Sequence, residues 1–322
     1  MVTGDSLRIL ARYETMLVTA MPMPNPAHSL PRFVDALTDI AKGGSTSIWL
    51  PQLPALPGVS GWDPLLVLAL VGQRVPAVKL GTAVSVIYGQ HPFTLARQAL
   101  SASAAVDGRL TLGLGLSHPP MVEALGYRYD KPAAFMDEYL TALLPALAGV
   151  AVDVHGEFVT AVGQVEAADA PVPSVVLAAL GPRMLRIAGS RTDGTVTSWV
   201  GPRTLDAHIV PLLTKAAASA GRPAPRVIAG LPVVVTDHPD DARALINEEF
   251  AMSGNLPSYR AMFDREGVSG PGDVSLVGNA AEVEAQLRRL AEVGVTEFVG
   301  TPLGDSASQA RTLEFLAAAR TS

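Results

Sequence analysis

The sequence predicts a (β/α)8 TIM barrel with insertions, folded as a single domain over residues 1–322. Eight short runs rich in Val, Ile and Leu alternate with longer helical patterns. Such runs are typical of parallel strands covered by helices, and eight strand–helix units are the number in this barrel. No linker rich in Pro, Gly or Ser divides the chain. A doubly wound open sheet is the alternative, because the same alternation builds it.

The strand and helix patterns follow one another along almost the whole chain. The predicted strands are residues 16–22, 46–50, 78–87, 110–116, 174–180, 194–199, 227–236 and 295–299. The helices that follow them are 30–42, one from Pro64, one from Pro92 to near Gly108, 135–147, one from Pro182, 203–220, 240–250 and 307–319. Asp63 before Pro64 is a typical N-cap residue before a proline at the first helical position.

The chain is longer than a minimal barrel. Such a barrel takes about 250 residues, so roughly 70 lie outside its units. The excess is expected as insertions at about residues 150–173, where 152–159 resembles a hairpin, and at about 252–279. Residues 1–30 form an N-terminal extension, within which the first strand is predicted.

Composition excludes several classes of function. There is no Cys, which excludes disulfides, thiolate metal sites and a Cys nucleophile. Thirty acidic against 24 basic residues, without a basic cluster, argue against nucleic acid. No apolar run approaches the roughly 18 residues of a membrane span. Arg8, Arg12 and Glu14 stand where a secretory signal would be apolar, so we expect a cytoplasmic protein.

Several catalytic motifs are absent. The sequence has no GxxxxGK[ST], no HExxH and no GxSxG, and its six histidines lack the spacing of metal ligands, so no metal is expected. Gly113 and Gly115 begin a GxGxx segment after a strand, but His118 stands in the place of the third glycine of a Rossmann fingerprint. Hydrolase and classical NAD chemistry are therefore disfavoured.

The most unusual segments follow predicted strands, where barrels carry their active sites. They are residues 49–52 (WLPQ), 80–86 (LGTAVSV), 113–118 (GLGLSH) and 178–185 (AALGPRML). In this order they resemble the luciferase-like family of flavin and deazaflavin oxidoreductases, and in particular its coenzyme F420-dependent branch. Residues 256–268 and 275–278 also resemble that branch, and the resemblance extends from about Phe33 to the C-terminus.

The resemblance implies an F420-dependent reductase or dehydrogenase that transfers a hydride between the deazaflavin and a small organic substrate, such as one with a C=C or C=N bond. An FMN-dependent monooxygenase is the alternative within the family, and a barrel that binds a flavin or deazaflavin without catalysis is the second alternative. Members of the family commonly dimerise, so the resemblance also implies a homodimer.

The resemblance also implies a set of cofactor-binding residues. They are Gln52, Ala83, Val84, Gly115, Leu116, Ser117, His118, Ala179, Leu180, Gly181, Pro182, Arg183 and Met184. In family members a non-proline cis peptide forms a bulge behind the ring, and the matching pair is Ala83–Val84. Glycines let a cofactor tail approach the backbone, and the free amides of a helix start can hold a phosphate. An ordinary buried strand, a tight turn and an ordinary helix start are the respective alternatives.

His118 is the candidate catalytic residue, because an imidazole that titrates near neutral pH can protonate a substrate. A plain hydrogen bond to the cofactor is the alternative. Sugar-phosphate dehydrogenases of the family carry an Asp-His pair where this chain has Gln52-Leu53, so glucose-6-phosphate oxidation is not expected. Candidate substrate-pocket residues are Trp49, Tyr88, His91 and Trp199, with core packing as the alternative for the aromatic residues and helix capping for His91.

Overall fold

The strand–helix alternation is present in the computed structural model, which describes residues 15–23 and 25–319. The strands of the described part are β1 Leu17–Ala20, β2 Ser47–Leu50, β3 Lys79–Thr82, β4 Ser85–Val86, β5 Leu110–Gly115, β6 Val152–His155, β7 Thr160–Gly163, β8 Ser174–Ala178, β9 Gly194–Ser198, β10 Arg226–Val235, β11 Leu276–Gly278 and β12 Glu297–Pro302. All eight predicted strands are therefore confirmed, with β3 and β4 as the two parts of the third.

Helices connect these strands. They are α1 Leu30–Lys42, α2 Pro64–Arg74, α3 Pro92–Ala105, α4 Pro119–Ala124, α5 Pro132–Leu147, α6 Pro182–Arg191, α7 Pro202–Thr204, α8 Val210–Ser219, α9 Pro239–Glu249, α10 Ala251–Gly254, α11 Pro257–Glu266, α12 Pro271–Val274, α13 Ala280–Glu292 and α14 Ser306–Ala318. Proline at the first position fits many of these starts, since it lacks only an N–H that has no intrahelical partner there. Asp63 caps α2 as predicted, accepting from the Leu66 N–H (2.9 Å).

The described residues form two compact units. Residues 25–42 and 47–178 make the N-terminal unit, and residues 15–23, 43–46 and 179–319 make the C-terminal unit. The single domain predicted from the sequence stays a prediction.

The N-terminal unit contains four consecutive parallel strands in sequence order. β2 pairs with β3, β3 and β4 pair with β5, and β5 pairs with β8. All four residues of β2 and all six of β5 are buried, as expected for strands with helices packed against them.

The strand pairing of the C-terminal unit excludes the open sheet. β9 pairs with β10 and β10 with β12, again in parallel. β12, the last strand, then pairs with β1, the first, from Leu17↔Glu297 to Ala20↔Gly300. A doubly wound sheet changes direction at a switch point, whereas a barrel places its last strand beside its first. The fold class is therefore the predicted (β/α)8 barrel.

A part-buried ion pair lies where two strands of the C-terminal unit begin. Arg226 at the start of β10 is 2.9 Å from Glu297 at the start of β12, whose side chain is 3% exposed. Active sites of barrels lie at the opposite, carboxyl ends of the strands. This pair therefore belongs to the framework of the unit.

Two segments add to the strand–helix units. β6 and β7 form an antiparallel hairpin over residues 152–163, which confirms the predicted hairpin and extends it to Gly163. The second insertion contains three short helices and β11, which pairs in parallel with β10. α13, which begins with a capping box between Asn279 and Glu282, was not among the predicted helices. Of the N-terminal extension, residues 1–14 lie outside the described part.

The length and hydropathy of the helices show whether any of them could span a membrane. None of the helices in the described part combines the length and the apolar character that crossing a bilayer requires.

Candidate cofactor and substrate site

The backbone leaves the sheet for two residues after β3. The peptide bond between Ala83 and Val84 is cis, as the resemblance implied. Ala83 and Val84 are half-buried, whereas Thr82 and Ser85 on either side of them are buried. We call these two residues the bulge. It brings two small apolar side chains toward the surface of the N-terminal unit at the carboxyl end of a strand.

Gln52 holds the bulge through its backbone and its side chain. The Gln52 N–H donates to the Val84 carbonyl oxygen (3.0 Å), and its Oε1 accepts from the Val86 N–H (2.8 Å). The Ala83 N–H donates to the Leu50 carbonyl oxygen (2.9 Å). The side-chain oxygen of Gln52, predicted as a cofactor contact, is thus engaged with the backbone that follows the bulge.

Gly113 and Gly115 of β5 lie against the same region. A Cβ at Gly113 would overlap the Thr82 carbonyl oxygen, and one at Gly115 would overlap the Val84 side chain. Thr82 Oγ1 donates to the Gly113 carbonyl oxygen (2.8 Å) and accepts from its N–H (2.9 Å). Packing within the protein therefore already requires glycine at both positions, independently of the close approach of a cofactor that the sequence predicts.

The chain turns sharply after β5. Ser117 has a φ of 59°, in the left-handed region that residues other than glycine seldom adopt. Leu116 before it is buried, whereas Ser117 and His118 are half-buried. His118 is the N-cap residue of α4 but makes no side-chain capping bond.

Burial sets the protonation of His118. It lowers the pKa of the imidazole below the usual 6.5, so the ring is mostly neutral at neutral pH. A neutral imidazole can donate one hydrogen bond, but it holds no additional proton to give to a substrate. The electrostatics therefore favour the hydrogen-bonding alternative for His118 over the acid.

Two of the predicted pocket residues line one cavity of the N-terminal unit. Tyr88 and His91 contribute to a cavity of about 700 Å³ that also reaches the tip of the hairpin. His91 both caps α3, accepting from the Phe93 N–H at Nδ1 (3.2 Å), and lies 2.9 Å from the Thr160 carbonyl oxygen through Nε2. Because Nδ1 accepts, Nε2 carries the proton and donates to Thr160.

Trp49 is placed differently. It is 1% exposed, and its ring occupies the space beside Gly81, where a Cβ would overlap it. Trp49 therefore packs in the core of the N-terminal unit and does not line this cavity.

In the C-terminal unit, the segment after β8 leads into a helix start. Ala179 is buried, Leu180 is half-buried, and Gly181, Pro182 and Arg183 are exposed. Gly181 is the N-cap residue of α6, and among the described residues no atom beyond its chain neighbours lies within 4 Å of where its Cβ would be. The Arg183 and Met184 amides lie in the first turn, where N–H groups have no intrahelical acceptor. This helix start is open enough for an anion to approach.

His208 positions this segment, although the sequence analysis did not identify it. Its buried ring lies 2.8 Å from the Leu180 carbonyl oxygen through Nε2. His208 belongs to a π-helical turn, Leu205–Ile209, between α7 and α8. Pro211 follows this turn and lacks the N–H that a regular helix needs, which accounts for the irregular turn. A proline within a helical pattern was therefore the sequence feature that could have indicated the irregular turn and, with it, His208.

Trp199, the last predicted pocket residue, follows β9. It has a φ of 62°, which is unusual for a bulky residue, and it is 8% exposed. Its ring packs on Phe250, with the ring centroids 4.9 Å apart. The small exposed fraction leaves little of Trp199 accessible to a ligand.

Metal-ligating side chains do not gather within the described residues. No group of three or more His, Cys, Asp or Glu side chains there could hold a metal ion.

The family model for luciferase-like monooxygenases matches residues 15–297 of the chain. The protein belongs to this family. Its matched region includes the bulge, the turn at Ser117 and the start of α6. The family contains monooxygenases and F420-dependent oxidoreductases, so the coarse class of activity is that of an oxidoreductase.

Two relatives in this family illustrate its range. An uncharacterised protein of Mycobacterium tuberculosis is 26% identical over 294 residues, which cover 86% of this chain and 81% of the relative. The 5,10-methylenetetrahydromethanopterin reductase of Methanolobus tindarius is 25% identical over 274 residues, covering 76% of this chain and 83% of the reductase.

Two solved structures share the fold. The coenzyme F420-dependent tetrahydromethanopterin reductase of Methanopyrus kandleri matches with a TM-score of 0.77 and 18% identity, over 94% of this chain and 97% of the reductase. The oxygenating component of a type II Baeyer–Villiger monooxygenase from Pseudomonas putida, solved with FMN, matches with a TM-score of 0.75 and 18% identity, over 94% and 97% of the two chains.

Proposed function

We propose that the protein transfers a hydride between coenzyme F420 and a small organic substrate, as a reductase or dehydrogenase. The bulge is the observation that supports this most. It offers two small apolar side chains at the carboxyl end of a strand, and Gln52 and Leu50 fix its backbone. A flat tricyclic ring needs such a firm apolar support against one face.

The start of α6 fits the phosphate of such a cofactor. Gly181 leaves open space, and the amides of Arg183 and Met184 lie at the positive end of the helix dipole. The bond between His208 and the Leu180 carbonyl oxygen fixes the backbone that leads into this start. These residues of the C-terminal unit would bind a phosphate group.

The bound cofactor supplies the hydride chemistry, and the protein supplies position and a water-poor surrounding. His118, mostly neutral at neutral pH, would donate or accept a hydrogen bond at the cofactor or substrate. We propose C=C or C=N bonds as the acceptors. Glucose-6-phosphate is not proposed, because Gln52 and Leu53 stand where an Asp-His pair would be needed, and Gln52 is engaged with the bulge.

An FMN-dependent monooxygenase is the second candidate, favoured by the FMN-bound structure that shares the fold. A barrel that binds the cofactor without turnover is the third. The proposal further includes a cytoplasmic location and a homodimer.

Fluorescence titration of the purified protein with F420 and with FMN tests the choice of cofactor. We expect saturable binding of F420 and much weaker binding of FMN. Tight FMN binding without any response to F420 would contradict the proposal. Binding of F420 without oxidation of the reduced cofactor by any of a panel of enones and imines would favour the non-catalytic barrel.

Substitution of Gln52 tests the role of the bulge. Gln52→Ala removes the acceptor of the Val86 N–H and loosens the bulge, so we expect F420 binding to weaken by up to about tenfold, which corresponds to the full free energy of one such bond, about 1.4 kcal/mol. Gln164→Ala is the matched control, since the Gln164 side chain also bonds the backbone, donating to the Gly149 carbonyl oxygen, but is exposed and far along the chain. Equal F420 affinity in both variants would show that the bulge does not support the cofactor.

A further inference from the structure

Aromatic residues are concentrated around one tyrosine of the N-terminal unit. Only 5% of the chain is aromatic, yet six of its 17 aromatic residues form one connected cluster. Tyr88 lies at its centre, with its ring centroid 4.5 Å from that of Phe135. The other members are Tyr127, Tyr129, Tyr139 and Phe158, joined through centroid distances of 5.8–5.9 Å.

This aromatic cluster borders the 700 Å³ cavity described above. Tyr88, Tyr127, Phe135, Tyr139 and Phe158 all line it. The volume falls in the range of about 300–1,000 Å³ that takes small ligands. Aromatic faces favour stacked or edge-on contact with another ring, so the shape and the lining both suit a flat ring system.

The wall formed by the hairpin tip is held firmly. Glu138 of α5 accepts hydrogen bonds from the backbone N–H groups of Glu157 (3.0 Å) and Phe158 (2.6 Å), and it also bonds the N–H of Val159. The bond between His91 and Thr160 adds a second attachment. Phe158 is therefore a fixed part of the cavity wall.

Tyr139, one of the residues that line the cavity, carries a polar group without a partner. Tyr139 is 1% exposed, and its hydroxyl has no hydrogen-bond partner among the described residues. A buried hydroxyl without a partner is unfavourable and uncommon in folded proteins. Burial raises the pKa of Tyr139, and burial together with Tyr129 and Asp130 raises that of Tyr88 to about 12, so both keep their protons. Tyr139 is thus a neutral donor in need of an acceptor.

The charged groups of the cavity lie toward solvent. Arg128 and Asp130 are exposed, and Glu157 is paired with Lys131 at 2.7 Å. No charged side chain therefore faces the aromatic interior without solvent or a partner, which favours an uncharged ligand over an ionic one.

We propose that this cavity binds a flat, uncharged, conjugated ring compound that carries a carbonyl oxygen, with the ring against Tyr88, Phe135 and Phe158 and the oxygen accepting a hydrogen bond from the Tyr139 hydroxyl. As the substrate site of the hydride transfer this inference rests on the proposed function. As a binding site it does not depend on it.

Equilibrium dialysis with 2-acetonaphthone, a flat aromatic ketone, tests the site on the full protein without cofactor. We expect saturable binding, about 3–10-fold weaker in Tyr139→Phe, which corresponds to one lost hydrogen bond. Tyr259→Phe is the matched control, because it removes the hydroxyl of a half-buried tyrosine in α11 that does not line this cavity, and it should bind as the unsubstituted protein does. Cyclohexyl methyl ketone, which keeps the carbonyl but lacks the flat ring, should bind at least tenfold more weakly than 2-acetonaphthone.

Thermal unfolding separates a ligand-binding hydroxyl from a structural one. Tyr139→Phe should leave the Tm unchanged or raise it, since it removes a buried group that has no partner. A Tm lowered by several degrees would show that the hydroxyl is bonded within the protein and would overturn its assigned role. Binding of 2-acetonaphthone to Tyr139→Phe as strong as to the unsubstituted protein would also overturn the role of the Tyr139 hydroxyl. Equal binding of the two ketones would overturn the preference for a flat ring.

The F420 titration distinguishes a failure of this binding site from a failure of the proposed function. F420 binding without 2-acetonaphthone binding would overturn this site alone. Binding of 2-acetonaphthone with the expected effect of Tyr139→Phe, but without F420 binding, would support the site and contradict the proposed cofactor.

Discussion

Gly115 has no room for a side chain, because the Val84 side chain lies where its Cβ would be. Gly115→Ala must therefore displace the bulge or strain β5. We expect it to lower the free energy of unfolding by about 1–3 kcal/mol, the usual effect of overpacking a well-packed region. Urea unfolding followed by circular dichroism measures this.

Gly181→Ala is the contrasting glycine variant. Gly181 has a φ of −81°, and apart from its chain neighbours no described residue has an atom within 4 Å of its Cβ position, so alanine fits there without strain. Its stability should change by no more than about 0.5 kcal/mol. A weaker affinity for F420 at unchanged stability would support close approach of a phosphate, whereas a stability loss equal to that of Gly115→Ala would contradict this account of the two glycines.

His118 should make stability depend on pH. Because burial lowers its pKa below 6.5, the unfolded chain binds more protons than the folded one between the two pKa values. The contribution of His118 to stability is therefore complete above about pH 6.5 and decreases as the pH falls toward its folded pKa. In His118→Gln the free energy of unfolding should fall less between pH 7.5 and 5.5 than in the unsubstituted protein.

The exposed His238 provides the control for this measurement, as His238→Gln makes the same substitution at a site open to solvent. If the free energy of unfolding falls equally between pH 7.5 and 5.5 in the His118→Gln variant and in the unsubstituted protein, His118 is not the source of the pH dependence. The same variant also bears on catalysis: full turnover in His118→Gln would exclude His118 as an essential acid.

Glu138 connects helix α5 to the β6–β7 hairpin. One carboxylate accepts from three successive backbone N–H groups at the hairpin tip. Hydrogen bonds to a charged acceptor contribute about 1.5–3 kcal/mol each at most, and the amide of Gln keeps part of them. We therefore expect Glu138→Gln to lower the free energy of unfolding by about 1–2 kcal/mol and to speed hydrogen exchange of the amides at residues 157–159. Exchange that is unchanged there would contradict the assigned role.

Glu123→Gln in α4 is the matched control, since Glu123 is exposed. It should leave exchange at residues 157–159 unaltered.

The elements that could be predicted from sequence are those with a strong local pattern. Buried parallel strands such as β5 are apolar throughout, and Asp63 before Pro64 marks the start of α2. α13 has a capping box at its start and buried residues at Val283, Leu287 and Leu290, spaced as on one helix face, so a local pattern was present but was not used. The irregular turn before α8 depends on a proline within a helical pattern. The proline by itself does not specify at which residue the helical backbone hydrogen bonds become irregular.

The site was less predictable than the barrel. The cis bond at Ala83–Val84 and the capping by His91 followed from motifs and local chemistry. The hydrogen bond between Gln52 and Val86 and the bond of His208 to Leu180 join residues about 30 positions apart, and no local sequence pattern specifies such contacts. The five cavity-lining aromatic residues are likewise spread from Tyr88 to Phe158, so only Tyr88 was identified in advance, through its place near a strand end.

The whole molecule is expected to be a homodimer, as the family resemblance implied. Leu66 and Leu70 of α2 are 54% and 38% exposed and lie four residues apart on one face of the helix. Trp62 and Leu56 before the helix are also exposed, at 41% and 42%. We expect sedimentation velocity to show a dimer and Leu66→Lys to shift it toward monomer if this face is the interface. A monomer at all concentrations would contradict the dimer, and a Leu66→Lys dimer as strong as the unsubstituted one would place its interface elsewhere.

Among the described strands, β6 and β7 pair only with each other, and their hairpin lies between two barrel strands in sequence, yet it supplies Phe158 and the tip to the cavity. Residues 152–163 could therefore be exchanged for the corresponding loop of another family member without cutting any strand of the barrel. In protein engineering terms the hairpin is a replaceable module, and Glu138 is the connector that a graft would have to retain. Libraries that vary the hairpin alone would sample new ligand preferences while the barrel scaffold stays constant.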